Sequence, residues 1–208
     1  VIVPLGPFDF SKGHHSIQVE RKQIDTAVSK GLFFGNIRDE KNLDGLLKAI
    51  ALGSDNVHLT VAGSSGIPGH KNIEYYKDLA NSLGLTKNIT WIDSHVPEDQ
   101  VANLFQSTDW VALPYKSKFT SQSGVFSIAT HYSTPMLITS APTFKEVFAS
   151  YSLGEMACDE TPEKIQVALK KLANGVRTSK YDGFANYQSH HTWERNASIT
   201  QAAYLEAI

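Results

Sequence analysis

Cys158 is the only cysteine among 208 residues. A lone thiol excludes an intramolecular disulfide and a thiolate zinc cluster, and it fits a reducing compartment. Neither sign of charge dominates: 19 Lys+Arg against 21 Asp+Glu leave a net charge of -2. Without a basic surplus there is no field drawing the chain to nucleic acid or anionic lipid. Long hydrophobic runs are missing too. The longest, such as Trp110 to Leu113, fall far short of the roughly 20 residues a membrane helix needs. No charged-apolar-small signal opens the chain. The reading is of a soluble, cytoplasmic protein without a nucleic-acid partner. Because the first residue is Val1 rather than Met, it is expected to be a fragment or a processed piece. What remains is ordinary globular material, 41% hydrophobic and 19% charged, long enough to bury roughly 70% of the surface of its unfolded chain.

Short β-rich runs alternate with stretches of helical period, the pattern of a parallel sheet covered by helices. The runs are Leu32 to Phe34, Val57 to Val61, Ile89 to Ile92, Trp110 to Leu113 and Met136 to Thr139, with a weaker one at Gly154 to Cys158. Most are continuously apolar, as strands buried on both faces are. Leu43, Leu46, Leu47 and Ile50 share one helix face, as do Tyr76, Leu79, Ala80 and Leu83. Gly84 is expected to close the second helix in the left-handed conformation. Pro97 and Glu98 open a third helix through Val101, Leu104 and Phe105. A fourth runs from an N-cap at Thr161 through Pro162 and Leu172, with Gly175 read as lying beyond its end. A last helix starts after Thr192. The fold class is therefore α/β: a parallel sheet of about six strands, helices on both faces and a C-terminal helical tail.

Ligands of such sheets bind outside the carboxyl ends of the strands. That selects the loops Gly35 to Lys41, Ala62 to His70, Asp93 to Val96, Pro114 to Gly124 and Ser140 to Phe144. In the fourth, Ser121, Gln122, Ser123 and Gly124 precede a helix over Val125 to His131. Unpaired amides and the positive dipole end make such a place a seat for phosphate, and Gly124 carries no side chain to block it. The same residues serve equally as a plain helix cap. In the first loop Arg38 and Lys41 project toward the same crevice, where two cations suit a diphosphate. A solvated turn with Arg38, Asp39, Glu40 and Lys41 pairing among themselves is the other reading.

Ala62 to Gly69 lacks both the P-loop and the GxGxxG spacing and reads as a flexible loop. The pairs His14-His15 and His190-His191 have poor geometry for one metal and read as surface residues. No metal site, Ser-His-Asp arrangement or close carboxylate pair stands out.

The order of motifs resembles the C-terminal domain of GT-B glycosyltransferases of the large retaining group called family 4. The resemblance runs through Leu32-Phe-Phe-Gly-Asn-Ile-Arg-Asp-Glu-Lys-Asn-Leu43, Val57-His-Leu-Thr-Val-Ala-Gly63, Leu83-Gly-Leu-Thr-Lys-Asn-Ile89 and Val96-Pro-Glu-Asp-Gln-Val101. It continues through Asp109-Trp-Val-Ala-Leu-Pro114, Gln122-Ser-Gly124, Thr134-Pro-Met-Leu-Ile-Thr139, Phe144-Lys-Glu-Val147 and Trp193-Glu-Arg195. It implies residues 1–30 as a leading segment from a missing N-terminal domain, with Val1 to Pro4 as a strand. Residues 31–190 would form a Rossmann-like donor-binding domain, and 191–208 a C-terminal helix that leaves it to pack on the other half. Some apolar groups among Trp193, Ile199, Tyr204 and Leu205 should then be exposed.

The resemblance further implies a hexosyltransferase that uses a nucleotide diphosphate sugar, no cofactor and no obligatory metal, and retains configuration. The acceptor would be a glycan or a lipid-linked acceptor held by the missing half, which would also bring the chain to the inner face of the membrane. Arg38 and Lys41 would neutralise the diphosphate. Gly35, Asn36, Val96, Ser121, Gln122, Ser123, Gly124, Val125 and Glu146 would bind the donor. Several positions depart from the family. Thr120 and Ile128 stand where many members carry glutamates, Asn36 where a basic residue is frequent, Pro142-Thr143 in place of Gly-Gly, and Leu5 in place of His. The alternative is a degenerate domain kept as an assembly module without catalysis.

Overall fold

The computed structural model describes residues 28–53 and 56–206. The readings on Val1 to Pro4, Leu5 and His14-His15 lie outside them. In chain order the elements are β1 (Ser29–Phe34), α1 (Leu43–Ala51), β2 (Val57–Ala62), α2 (Ile73–Ser82), β3 (Ile89–Ile92), α3 (Glu98–Gln106) and β4 (Trp110–Leu113). There follow α4 (Gly124–His131), β5 (Met136–Ile138), α5 (Pro142–Ser150), β6 (Gly154–Met156), α6 (Pro162–Arg177), α7 (Phe184–His190) and α8 (Trp193–Glu206). All strand pairs are parallel, in the order β3-β2-β1-β4-β5-β6. The chain is thus α/β, a Rossmann-like sheet with helices on both sides.

The core sits where the two halves of the sheet meet. All four residues of β4 are buried, and the Trp110 indole donates from Nε1 to Ser29 Oγ at 2.9 Å. Gly31 leaves the space that the Trp110 ring fills; a Cβ there would come within 2.4 Å of it. Right-handed crossovers place α1 and α2 on one face, and the reversal after β3 sends the next helices to the other. On the first face α6 packs against α1.

Local signals hold where chemistry is simple. Gly84 has φ 73°, and the Leu85 N–H reaches back to the Ala80 carbonyl at 2.8 Å, closing α2 as expected. Other expectations are corrected. Gly175 does not lie past α6 but inside it, where its missing side chain admits the Tyr181 hydroxyl, 2.2 Å from where a Cβ would stand. The loop read over Ser140 to Phe144 is shorter than expected: Pro142 already occupies the first turn of α5, where a proline's missing N–H costs nothing. The short α7 has no counterpart in the sequence reading. It docks by donating Gln188 Nε2 to the Thr130 carbonyl at the end of α4.

His190 is exposed, as read, whereas His191 is half-buried and stacks on Tyr187 at 3.9 Å. Along α8 none of the described side chains is buried. Trp193, Tyr204 and Leu205 are 47%, 71% and 68% exposed. Among the described residues no helix is long and apolar enough to cross a membrane.

Candidate donor-binding site

The strand order reverses between β1 and β4, and the loops leaving these two strands meet at their carboxyl ends, the switch point where such sheets bind ligands. The Lys116 N–H donates to the Glu40 carbonyl at 2.8 Å, fastening the β4 loop to the short 3-10 turn Asp39–Lys41 of the β1 loop.

Lys41 is the central group. It is 6% exposed, and Nζ donates to the Phe34 carbonyl at 3.3 Å. Its Nζ also lies 6.0 Å from the centre of the Tyr115 ring. Burial, with Arg38 nearby adding repulsion, pushes its pKa down to about 8, so the ammonium remains charged at neutral pH. Three N–H donors face one carbonyl acceptor among the described residues. Gly35, at φ 81°, lies beside it: a Cβ there would be 3.3 Å from Lys41 Nζ and 3.5 Å from Val125 Cγ2. Glycine at this position keeps the gap between the ammonium and the first turn of α4 open.

At that turn the Ser123 hydroxyl accepts from the Phe126 N–H at 3.3 Å, so Ser123 does cap the helix. The amides of Gly124 and Val125 precede any carbonyl the helix can offer them. The cap therefore draws on the Ser123 side chain and leaves these two backbone amides outside it. The Ser123 hydroxyl also lies 3.1 Å from the Tyr115 phenol. Tyr115 is 1% exposed, and burial raises its pKa to about 12.

Arg38 is placed differently from Lys41. Its Nε lies 3.1 Å from Glu40 Oε1, with the side chain 38% exposed. The other Glu40 oxygen is 3.7 Å from His70 Nδ1. The self-paired turn is thus realised for Arg38, while Lys41 escapes it by pointing inward. Asn36, Ser121, Gln122 and Glu146 are exposed, and Val96 is buried. Gly35, Lys41, Ser123 and Val125 come together with Gly124. None of Asn36, Val96 and Glu146 shares a side-chain hydrogen bond with them.

Two features escaped sequence reasoning. Tyr115, following a buried strand, carries no signal beyond that of a core aromatic. The loop after β2 read as flexible, yet it is pinned at both ends. Gly63, at φ 148°, lies so close to Gly35 that a Cβ would come 2.2 Å from its carbonyl oxygen. The Ile37 N–H donates to the Ser64 carbonyl at 2.9 Å. At the far end the Lys71 N–H donates to Asp39 Oδ1 at 3.0 Å. Burial pushes the Asp39 carboxyl up, but this bond, with the charges of Lys71 and His70, brings it below the usual range.

Comparison with known proteins adds the family. The fold matches the lipopolysaccharide outer core galactosyltransferase WaaB at TM-score 0.76 and 15% identity, over 100% of this chain and 56% of that one. It matches the sucrose-phosphate synthase from Thermosynechococcus elongatus at 0.73 and 15%, over 100% and 52%. It also matches the C-terminal domain of the glycosyl transferase group 1 protein LpcC from Francisella tularensis at 0.62 and 16%, over 76% and 83%. The chain therefore spans about half the length of the first two. At these identities the likeness is one of fold, that of half a GT-B architecture. No curated protein sequence matches the chain significantly. Residues 17–188 match the family described as glycosyl transferases group 1, and the chain belongs to that family.

Proposed function

We propose that this chain is the donor-binding half of a retaining hexosyltransferase that works without an obligatory metal. It binds a nucleoside diphosphate sugar at the tip of α4, and an N-terminal half presents a glycan or lipid-linked acceptor. The observation that carries this reading is the buried Lys41 ammonium, which faces Val125 of the first turn of α4 across the side-chain-free Gly35. In transfer the bond between the anomeric carbon and the diphosphate oxygen breaks, and its electron pair stays on the diphosphate. The acceptor hydroxyl oxygen bonds to that carbon on the same face and gives up its proton to the departing diphosphate. Charge grows on the departing oxygen, where a preorganised cation and fixed N–H dipoles stabilise it most. Arg38 supplies a second cation once the incoming phosphate competes with Glu40.

The test is calorimetric titration of the chain with nucleoside diphosphates against the parent nucleosides. Binding of a diphosphate that Lys41→Met removes supports the reading. No binding at millimolar concentration, in this chain and in any longer protein containing it, overturns it. An assembly module without catalysis is the second reading, favoured by the Arg38–Glu40 pairing and by Thr120 and Ile128 in place of glutamates. It requires cellular function to survive both Lys41→Ala and Gly124→Trp.

A further inference from the structure

Tyr115 belongs to none of the roles assigned above, yet it touches both halves of the site: its ring lies under Lys41 and its hydroxyl against Ser123. The direction of the bond between the two hydroxyls follows from counting donors and acceptors. A phenol so deeply buried must place its hydrogen on an acceptor or bear the cost of an unsatisfied group. Among the described residues Ser123 Oγ is its one hydrogen-bond partner. The phenol also keeps its proton at neutral pH, since burial pushes it up to about 12. Tyr115 is therefore the donor.

Ser123 Oγ then accepts twice, from the Phe126 N–H and from the Tyr115 O–H, which fills both its lone pairs. Its own hydrogen is left without an acceptor, at the tip of α4 beside the amides of Gly124 and Val125. We propose that Tyr115 is a positioning residue: by donating to Ser123 Oγ it turns the serine hydroxyl into a fixed third donor for a phosphate oxygen at the α4 tip. This rests on reading that tip as the diphosphate site. Without the phenol hydroxyl one Ser123 lone pair is unfilled, the serine hydroxyl is free to rotate, and the ligand loses a preoriented donor.

Inorganic pyrophosphate, which has no base or sugar, is the probe, with a nucleoside as control. Tyr115→Phe keeps the ring and its place under Lys41, and is expected to weaken pyrophosphate binding about fivefold while leaving nucleoside binding unchanged. Ser123→Ala should lose a similar factor, and the double variant no more than the worse single one, because both remove the same donor. A loss of packing alone would shift the unfolding midpoint without this phosphate-specific, non-additive pattern. Should Tyr115→Phe fail to fold, Ser123→Thr, which keeps a hydroxyl, must bind pyrophosphate better than Ser123→Ala. Wild-type affinity in Tyr115→Phe, multiplying losses in the double variant, or equal binding by the Thr and Ala variants overturns the assignment and leaves the site standing. Failure of the wild-type chain to bind any diphosphate removes the site, and this role with it.

Discussion

Helices α4 and α8 carry similar apolar residues to opposite ends. Six of the eight residues of α4 are buried, from Val125 to Thr130, and Phe126 stacks on Phe144 of α5 at 5.4 Å. Over fourteen residues α8 has none buried among those described, and it exposes an indole, a phenol and a leucine. The domain holds α4 fixed because its own sheet and neighbours absorb that helix's apolar face. That rigidity lets the α4 tip present amides in a set direction, and it is the condition for electrostatic preorganisation. The α8 helix draws little from this domain, and large exposed apolar groups of this kind mark a surface that works against something else.

The sharpest way to break this contrast is at Lys41, whose charge is held against α4 at the expense of stability. Its folded pKa lies near 8, below the ordinary 10.5. The folded state thus binds fewer protons than the unfolded one between those values, and stability rises with pH across that window. Lys41→Met is expected to gain about 3 kcal/mol of folding stability at pH 7, read by urea unfolding. It should lose about a hundredfold in diphosphate affinity, read by calorimetry. The gain should shrink as pH climbs from 8 to 10. A variant less stable than wild type at pH 7 would mean that the ammonium is already satisfied, and the site reading would lose its support.

The loop contacts that place Lys41 give the next effect. Gly63→Ala adds a Cβ to a backbone at φ 148° and drives it into the Gly35 carbonyl, and should cost about 3 kcal/mol. Gly66→Ala has φ 82° but open space around it, and should cost about 1 kcal/mol. Equal costs would show that the two loops are not locked together. Smaller still is Glu40→Gln, which frees Arg38 from its ion pair. Diphosphate affinity should rise about threefold at low salt, because a half-buried pair still open to water holds its partner only weakly.

Much of this fold was legible because buried parallel strands write themselves as continuous apolar runs, as β4, β5 and the end of β1 do. The same runs located the two loops that meet at the switch point. What stayed hidden depends on distance across the chain. Gly175 looks like a terminator by local rules, and only the approach of Tyr181 explains it as a helix residue. In α7 just Phe184 and Tyr187 turn inward, too few for a period to register. Arg38 and Lys41 are equivalent cations in the sequence. Their different fates follow from a 3-10 turn that sends one side chain in and leaves the other beside Glu40.

The smallest effect should come from α8, and it closes the contrast with α4. The Trp193 indole is 47% exposed, so Trp193→Ser should change the unfolding free energy of this domain by less than about 0.5 kcal/mol. Tyr204→Ser and Leu205→Ser, on side chains still more exposed, should do the same, while Phe126→Ser in α4 should cost more than about 3 kcal/mol. The same three α8 variants in a protein that also carries an acceptor-binding half should each lower the unfolding midpoint, because there the apolar surface of α8 has a partner to lose. A midpoint unchanged in that longer protein would show that α8 serves some other surface. A large loss in the isolated chain would show that α8 belongs to this domain after all, and the division between the two helices would disappear.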